Sequence, residues 1–538
     1  MSIEDIDLPV VEPAGTKGSS KYMRLMSITR YDLRIILVGG LLFLAFILVM
    51  ALIQFSTPDM PDNDGFYHIR IAEIMRQEGF KPEFPWLPLS ILNAREYADH
   101  HFLFHVALVP FTFGDLRLGA KWAAVVFSAL AFLSAWWLLR RQSVPYAALW
   151  ALGVLAISEA FLYRMSITRA QSMSLAFLIV GLHWMFTRQY RWLIPLSFLY
   201  VWLYDAFPLM LILSVIYAGS TWLIEKRLEW RPVVYTAIGT GLGMLVNPYF
   251  PDNIVFFIRH IAPKLTETTM VSVGSEWYPY RTTQLLENYP LALVAFLAGV
   301  VALGLFERRM DNRTATALFV AIFFGLLLFQ SRRFIEYFPP FALVFCALAW
   351  KPILLGARKL RSEAPPLDAL ATTSSSQKFL PKYQHLLAPA ILGALLLVGA
   401  WISVQDARSS IASSKPYTLY SGAANWLEEN SPAGARVFQT DWDDFPRLFF
   451  YNTHNTYLIG LDPTYMTLYD ADLYDLWEEI TQGDVEHPSD FIYPRFGAQY
   501  VVSDLLHRDF IQRAENDPGL ELVFRDSDAV VFQVTEPK

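Results

Sequence analysis

The segment Ile35–Phe55 limits what this chain can fold into more than any other feature, because none of its residues is Asp, Glu, Lys or Arg. A helix rises about 1.5 Å per residue, so roughly 20 apolar residues cross a hydrocarbon core about 30 Å thick. A polar leader, residues 1–34, precedes the segment without a small-residue cleavage pattern, which predicts an uncleaved signal anchor. We therefore expect an integral membrane protein that keeps a cytoplasmic N-terminal leader.

Ten further apolar segments, bounded by charges, Pro or Gly, are predicted to be membrane spans. They cover residues 119–139, 144–162, 170–187, 192–206, 207–224, 233–249, 289–306, 314–330, 334–350 and 386–404. The chain is 54 % hydrophobic and 17 % charged, whereas soluble domains carry about 25 % charged residues. Residues 35–404 are thus predicted to form an α-helical polytopic bundle of about eleven transmembrane helices. Residues 405–538 carry short helical and strand patterns and are predicted to form a soluble α/β domain.

Basic residues collect in alternate connections between these segments, and the positive-inside rule assigns those connections to the cytoplasm. They are Lys17, Lys21, Arg24, Arg30, Arg34, Arg140, Arg141, Arg188, Arg191, Lys226, Arg227, Arg231, Arg308, Arg309, Arg358, Lys359 and Arg361. The outer loops 56–118 and 250–288 and the domain 405–538 then lie outside a prokaryotic inner (cytoplasmic) membrane. The Ser-rich stretch Thr372–Lys378 is predicted to be a flexible cytoplasmic linker.

Composition excludes some partners and sites. The formal net charge is −7, and no block of Lys and Arg with interleaved aromatics is present, so nucleic acid is not an expected partner. Cys346 is the only cysteine, which excludes an intramolecular disulfide and a cysteine-based metal site. Membrane lipid is the one partner that the spans require.

Three carboxylates, Asp59, Asp62 and Asp64, stand within six residues immediately after the first span. Oxygen ligands of this kind suit Mg²⁺ or Mn²⁺, the ion that a pyrophosphate-linked substrate would need. The alternative is that a cluster of Asp, Asn, Gly and Pro after a span is only a turn.

The segment Asp64–Arg70 resembles a signature in the catalytic subunit of oligosaccharyltransferases, an Asp followed by two aromatics, then Asn or His, then Arg. Those enzymes are members of the GT-C superfamily of glycosyltransferases, which use polyprenyl-phosphate donors. The resemblance implies a GT-C-like fold, in which Asp64 binds the metal and faces the acceptor. It makes Asp62 a weaker candidate for the same metal.

A second polar group stands later in the same loop, at Asp99, His101 and His105. His residues at i and i+4 share one helix face, and this spacing can ligate zinc. Imidazole titrates near neutral pH, so the group can instead position phosphate or move protons beside a sugar diphosphate. A third interpretation is that these residues anchor a re-entrant helix, because the apolar segment Phe102–Phe113 is too short to span.

The second outer loop contains Val271–Trp277, which is similar to the Ser-Val-Ser-Glu motif of oligosaccharyltransferases. That likeness implies that Glu276 is the second acidic metal ligand, on a loop that closes over bound peptide. Trp277, with Tyr278 and Tyr280, offers an aromatic surface on which a sugar can stack. The alternative is an ordinary solvated Glu.

Two arginines, Arg332 and Arg333, lie between apolar segments on the predicted outer side, against the positive-inside preference. Charges there cost free energy unless something compensates, and a guanidinium matches phosphate oxygens bidentately. We therefore predict that they bind the donor phosphate, with Arg169 as a third partner. The alternative is interfacial snorkelling.

The chain departs from the oligosaccharyltransferase pattern in two places. The stretch 166–172 contains no acid where the family carries an acidic pair, so a metal ligand is missing or is replaced by Asp99 or a histidine. The family's acceptor motif Trp-Trp-Asp-Tyr-Gly is reduced to Trp442 and Asp443 within Asp441–Pro446. This erosion puts recognition of Asn-x-Ser/Thr sequons in doubt.

The predicted function is an inverting glycosyltransferase. It moves a sugar or oligosaccharide from a polyprenyl (pyro)phosphate donor to a glycan, protein or lipid acceptor on the extracytoplasmic face. Asp64 and Glu276 would be catalytic and would hold Mg²⁺ or Mn²⁺, while Trp442, Asp443 and Trp277 would bind the acceptor. Two alternatives are a transporter or flippase for a lipid-linked glycan and a catalytically inactive scaffold.

Overall fold

The structure is a computed structural model, and it describes residues 30–261, 274–288, 290–305, 310–362 and 384–535. The predicted linker 372–378, most of the leader and residues 271–273 of the second-loop motif lie outside the described residues. Helices dominate the first part of the chain. They are α1 (Arg30–Gln54), α2 (Asp64–Glu78), α3 (Phe102–Leu108), α4 (Leu116–Arg141), α5 (Ala147–Leu152), α6 (Glu159–Ser166), α7 (Gln171–Phe186), α8 (Leu193–Leu203), α9 (Pro208–Glu225), α10 (Arg231–Leu245), α11 (Asp252–Phe256), α12 (Thr282–Asn288), α13 (Pro290–Leu305), α14 (Asn312–Gln330), α15 (Phe338–Ser362) and α16 (Gln384–Ala412).

Each predicted span coincides with helical structure, but the count of eleven is not confirmed. Within the described residues, five helices are long and apolar enough to cross a membrane, or up to seven if each of two bent pairs is one span. The predicted span 144–162 breaks between α5 and α6, whose axes turn by 82°. At that break Ser158 caps α6, because its side chain accepts from the Phe161 backbone N–H. Hydropathy alone does not detect such a turn, since both halves are apolar.

Burial separates the helices that face lipid from those inside the bundle. α1 presents Leu41, Leu44 and Leu48 to the outside, each about 60 % exposed, as a lipid-facing helix does. α4 packs between α1 and α7 and buries its alanines. α8 and α10 approach so closely that a Cβ on Gly239 would lie 2.3 Å from Ile194 O, so only glycine fits there.

The C-terminal part carries a small mixed sheet. Its strands are β1 (Arg436–Gln439), β2 (Thr456–Tyr457), β3 (Tyr500–Asp504), β4 (Leu520–Arg525) and β5 (Ala529–Val534), in the order β2-β1-β3-β5-β4. β1 runs parallel to β2 and β3, and β5 runs antiparallel to β3 and β4. The helices are α17 (Ser421–Asn430), α18 (Phe445–Tyr451), α19 (Thr464–Tyr469), α20 (Ala471–Gln482), α21 (Ser489–Phe496) and α22 (Arg508–Asn516). The small α/β fold predicted for this region is confirmed, while its boundary at 405 stays a prediction because α16 continues to Ala412.

The C-terminal α/β region and the first outer loop are joined through backbone hydrogen bonds. The Tyr457 N–H donates to Trp86 O at 2.8 Å, and the Ile91 N–H donates to Tyr465 O at 3.1 Å. The turn that contains Trp442 follows the carboxyl end of β1, the edge where parallel strands commonly present ligand-binding residues. Asn63, immediately before α2, bonds to Asp443 of this turn and so joins the turn to the start of α2.

Candidate active site

The first outer loop enters the site at the amino end of α2, which begins at Asp64. Upstream, the fully buried Lys121 fixes the loop, because its Nζ donates to two backbone carbonyls of the loop at 2.5 and 2.7 Å. The Asp59 carboxylate accepts from the Tyr417 backbone N–H at 2.7 Å. Asp59 therefore ties the loop to the C-terminal region, whereas Asp62 and Asp64 meet the arginines described next.

Arg169 lies at the centre of the polar cluster. Its Nε and Nη2 donate to the two carboxylate oxygens of Asp62, both at 2.7 Å. Nη2 also lies 2.9 Å from Asp64 Oδ2, and Nη1 lies 3.4 Å from Glu276 Oε2. Arg169 stands in the short loop between α6 and α7, where Thr168 Oγ1 donates to a carbonyl of α4 at 3.0 Å. A single guanidinium thus joins three carboxylates from two outer loops.

Glu276 brings the second outer loop into the same cluster. Besides Arg169, its carboxylate accepts from Arg164 Nη1 at 2.7 Å, and Arg333 Nη1 lies 3.6 Å from Oε1. The backbone carbonyl of Glu276 accepts from Ser331 Oγ at 2.9 Å, which ties the loop to the residues between α14 and α15. Three guanidiniums therefore converge on one carboxylate, a charge arrangement that suits an anionic ligand such as phosphate.

Glu336 supports Arg164 from the interior of the protein. Arg164 Nε donates to Glu336 Oε1 at 2.8 Å, and Nη2 contacts the same oxygen. The Glu336 carboxylate is fully buried, and its Oε2 has no hydrogen-bond partner in the described part of the chain. Arg164 consequently bridges a buried acid and the acid of the second outer loop.

The carboxylates of the cluster differ in their electrostatic environment. Burial raises the pKa of Asp64 to about 7, although Arg169 opposes the shift, and Asp62, Asp443 and Glu276 add to it. Burial also acts to raise the pKa of Glu276, but its three arginine neighbours outweigh burial and hold that pKa below its ordinary value. Asp64 is therefore the acid of this cluster that can exchange a proton near neutral pH, while Glu276 stays ionised.

A buried chain of imidazoles links α2, which carries His68, to α3, which carries His105. His105 Nδ1 donates to Asp99 Oδ2 at 2.7 Å, and His105 Nε2 lies 2.7 Å from His68 Nδ1. When both rings are neutral, His105 Nε2 must accept and His68 Nδ1 must donate, so His68 Nε2 carries no proton. The remaining Asp99 oxygen accepts from the His101 backbone N–H at 2.9 Å. The hydrogen bonds therefore join Asp99, His105 and His68, with the His101 ring outside this chain, and the role predicted for Asp99, His101 and His105 stays a prediction.

The residues predicted to bind the acceptor lie beside the cluster. Asn63, between the two site aspartates, donates through Nδ2 to Asp443 Oδ2 at 2.6 Å. A Cβ on Gly274, two residues before Glu276, would lie 4.0 Å from the Trp442 ring. Trp277 packs its ring under Arg333, whose guanidinium carbon lies 4.8 Å from the ring centroid. Trp442, Asp443 and Trp277, the three residues predicted to bind the acceptor, therefore all lie next to the charged cluster.

A divalent ion does not fit the arrangement of the described side chains. Among the residues that the structure describes, no group of three or more His, Cys, Asp or Glu is disposed to hold a metal ion. The Asp62 and Asp64 carboxylates instead bind the Arg169 guanidinium. At an effective dielectric constant of about 20, a dication about 4 Å from that guanidinium would be repelled by about 8 kcal/mol, which offsets the attraction of one carboxylate at the same distance. The predicted Mg²⁺ or Mn²⁺ thus stays a prediction to which this geometry gives no support.

One of the predicted phosphate ligands stands apart from the cluster. Arg332 Nε donates to Pro279 O at 3.3 Å, and its guanidinium lies 5.2 Å from the centroid of the Tyr280 ring. Arg333 and Arg169, in contrast, both meet Glu276. The structure therefore brings two of the three predicted arginines together.

Sequence reasoning missed Arg164, Glu336 and Asn63. An acid within a predicted span, as Glu336 is in 334–350, is expensive and marks a functional or paired site, so this signal was present. Arg164, at the outer end of an apolar segment, has the same charge anomaly that identified Arg333. Asn63 gave no signal, because its partner Asp443 is 380 residues away.

Comparison with known proteins identifies the fold. No protein-family model matches the chain. The chain is 26 % identical over 218 residues to the Dolichyl-phosphooligosaccharide-protein glycotransferase 3 of Archaeoglobus fulgidus, and the match covers 39 % of this chain and 24 % of that protein. The match therefore spans about a quarter of the relative's length.

Two solved structures are similar over 93 % of this chain. The oligosaccharyltransferase AglB of Archaeoglobus fulgidus, in complex with an inhibitory peptide and a dolichol-phosphate, gives a TM-score of 0.63 at 13 % identity over 74 % of its chain. ArnT from Cupriavidus metallidurans, bound to undecaprenyl phosphate, gives 0.55 at 15 % identity over 99 % of its chain. The chain has the GT-C glycosyltransferase fold, and the likeness to oligosaccharyltransferases predicted from Asp64–Arg70 is confirmed.

Proposed function

We propose that this protein is a glycosyltransferase that moves a sugar or oligosaccharide from a polyprenyl (pyro)phosphate donor to an acceptor. The reaction would take place on the extracytoplasmic face of the membrane. The observation that carries the proposal is the convergence of Arg164, Arg169 and Arg333 on Glu276, directly beside Asp64. The arginines that would stabilise a leaving phosphate therefore lie next to the carboxylate that would accept a proton.

The three arginines would hold the phosphate of the donor. When the bond between the anomeric carbon and the phosphate oxygen breaks, its electron pair leaves with the phosphate, and negative charge grows there. Preorganised guanidiniums stabilise developing charge without reorganising during the reaction. In this structure the Glu276 carboxylate meets the same three arginines. An incoming phosphate would therefore share these donors with Glu276 or displace its carboxylate from them.

Asp64 would act on the acceptor. The acceptor's nucleophilic oxygen or nitrogen attacks the anomeric carbon from the side opposite the phosphate, which inverts its configuration. Its proton passes to Asp64, whose pKa of about 7 suits a base working near neutral pH. Arg169 orients this carboxylate through Oδ2, and Trp442, Asp443 and Trp277 would bind the rest of the acceptor. The described residues do not fit a divalent ion, so the proposed chemistry has no step through one.

The test is sugar transfer from a radiolabelled lipid-linked donor in membranes that contain the full-length chain. Asp64→Asn and Arg333→Gln should each reduce transfer, whereas Glu83→Gln, an exposed acid of the same outer loop, should not. The variants must be present in equal amounts by immunoblot. Wild-type rates for Asp64→Asn would contradict the proposal.

A further inference from the structure

The guanidinium of Arg169 lies where the carboxylates of the site converge. Each of the three nitrogen atoms of the Arg169 guanidinium contacts a carboxylate: Nε contacts Asp62, Nη2 contacts Asp62 and Asp64, and Nη1 contacts Glu276. The geometry points to Arg169 as a built-in replacement for a divalent cation, so that the transfer proceeds without a metal ion. This inference rests on the proposed function for its catalytic meaning, but the occupancy of the acids by Arg169 is independent of it.

Charge balance supports this assignment. Ion pairs join the carboxylates of Asp62, Asp64, Glu276 and Glu336 to the guanidiniums of Arg164, Arg169 and Arg333, which gives at most four negative charges, when Asp64 is unprotonated, against three positive charges. A divalent ion would change the net charge of this group from one negative to one positive. The described residues from 165 to 175 add no acid, so the loop that carries Arg169 offers nothing to offset that positive charge.

The position of Arg169 is fixed from both ends. Its backbone N–H donates to Ile167 O at 3.0 Å, and the neighbouring Thr168 is anchored on α4. Gly65, the second residue of α2, lies so close to this loop that an added Cβ would be 3.3 Å from Thr168 Cβ. At the other end, the guanidinium binds Asp62 through two parallel bonds, the geometry with the greatest directional specificity. A group held in this way is a fixed part of the site.

A guanidinium can perform the electrostatic part of a metal ion's role. It keeps its positive charge at every pH at which the protein is folded, and it donates in a fixed fork. Here it would hold Asp62 and Asp64 at one separation and keep Asp64 Oδ2 turned away from the acceptor. Its Nη1, on the side of Glu276, would meet the leaving phosphate together with Arg164 and Arg333. Together the three arginines supply charge that other sites obtain from Mg²⁺ or Mn²⁺.

The experiment measures Mn²⁺ binding to the purified full-length protein by electron paramagnetic resonance, without donor or acceptor. The wild type should bind no Mn²⁺ more tightly than about 1 mM, the weak end of protein sites for hard cations. Arg169→Gln removes the charge and lets the three carboxylates that surround the guanidinium draw together on an ion, so it should bind Mn²⁺ at least about tenfold more tightly. Arg169→Lys keeps the charge and should behave like the wild type. Arg95→Gln, an exposed arginine of the first outer loop, is the matched control.

A double variant keeps the result interpretable. If Mn²⁺ occupies the vacated acids, adding Asp64→Asn to Arg169→Gln should abolish the gained binding. Tight Mn²⁺ binding by the wild type that Asp64→Asn removes would overturn the inference, and so would an Arg169→Gln protein that melts like the wild type but gains no binding. If Arg169→Gln does not fold, Mn²⁺ binding by the wild type and its sugar transfer in EDTA still decide whether an ion takes part.

A chelator arm separates this inference from the proposed function. Sugar transfer by the wild type should be unchanged in EDTA. A loss of transfer that Mg²⁺ or Mn²⁺ restores would overturn the inference about Arg169 but would leave the proposed sugar transfer standing. If no transfer is found under any condition while the Mn²⁺ results are as expected, the proposed function fails and the structural role of Arg169 stands.

Discussion

The ion pair between Arg164 and Glu336 is buried, and its hydrogen bonds give an estimate of how much the pair contributes to the free energy of unfolding. The Glu336 carboxylate is fully buried and is bonded by two nitrogens of Arg164. Hydrogen bonds to charged groups contribute about 1.5–3 kcal/mol each, so two of them total about 3–6 kcal/mol. Arg164→Met should therefore destabilise the protein by about 3–5 kcal/mol, because it leaves an uncompensated buried charge.

The matched variants are Glu336→Met and the double variant Arg164→Met with Glu336→Met. Replacing both partners of a buried pair by apolar groups is often neutral, so the double variant should cost less than the sum of the two single variants, although it still loses the contact of Arg164 with Glu276. The assay is unfolding by SDS titration in mixed micelles, followed by tryptophan fluorescence, which gives the coupling energy from the four proteins. Costs below about 1 kcal/mol for both single variants, or a double variant that costs the sum of the singles, would refute this reasoning.

Three further predictions concern the site. Asp99→Ala leaves the buried His105 without its acceptor and should lower the free energy of unfolding by about 1–3 kcal/mol in the same assay; no change would contradict the buried chain of hydrogen bonds. The transfer rate should be full above pH 7 and fall as the pH drops through about 7, because Asp64 must be unprotonated to accept a proton; a rate that is flat from pH 5 to 8 would exclude it as the base. Arg333→Lys should reduce kcat about 10- to 150-fold, the rate equivalent of losing about 1.5–3 kcal/mol of charged hydrogen bonding, while Arg95→Lys leaves kcat unchanged.

Much of the candidate site could be predicted from the sequence, because its residues are charges in unusual places. Asp62, Asp64, Arg169 and Arg333 each stand at or near the end of an apolar segment, whereas Glu276 is predicted from the motif in Val271–Trp277. At the end of an apolar segment a charge costs free energy unless it has a partner. The structure brings these five together. Arg332 shares the pattern but lies apart, since neighbours in a tight turn point in different directions and spacing alone does not distinguish them.

The rest depended on tertiary contacts that leave no local pattern. Asn63 meets Asp443 across 380 positions, and the buried chain of imidazoles joins His68 to His105 across 37. The number of spans was also beyond sequence reasoning. Some predicted spans fold as helices too short to cross a membrane, such as the 11-residue α8, and hydropathy records apolarity without recording where a helix ends.

The most direct test of the account is the fate of the carrier lipid. The purified chain is reconstituted with a lipid-linked sugar and an acceptor, and the transferred sugar and the released polyprenyl phosphate or pyrophosphate are counted by mass spectrometry. A glycosyltransferase should release one carrier phosphate for each sugar transferred, and Asp64→Asn should form neither product. Movement of the intact lipid-linked sugar across the bilayer, with no release of the carrier phosphate, would contradict the account and indicate a transporter.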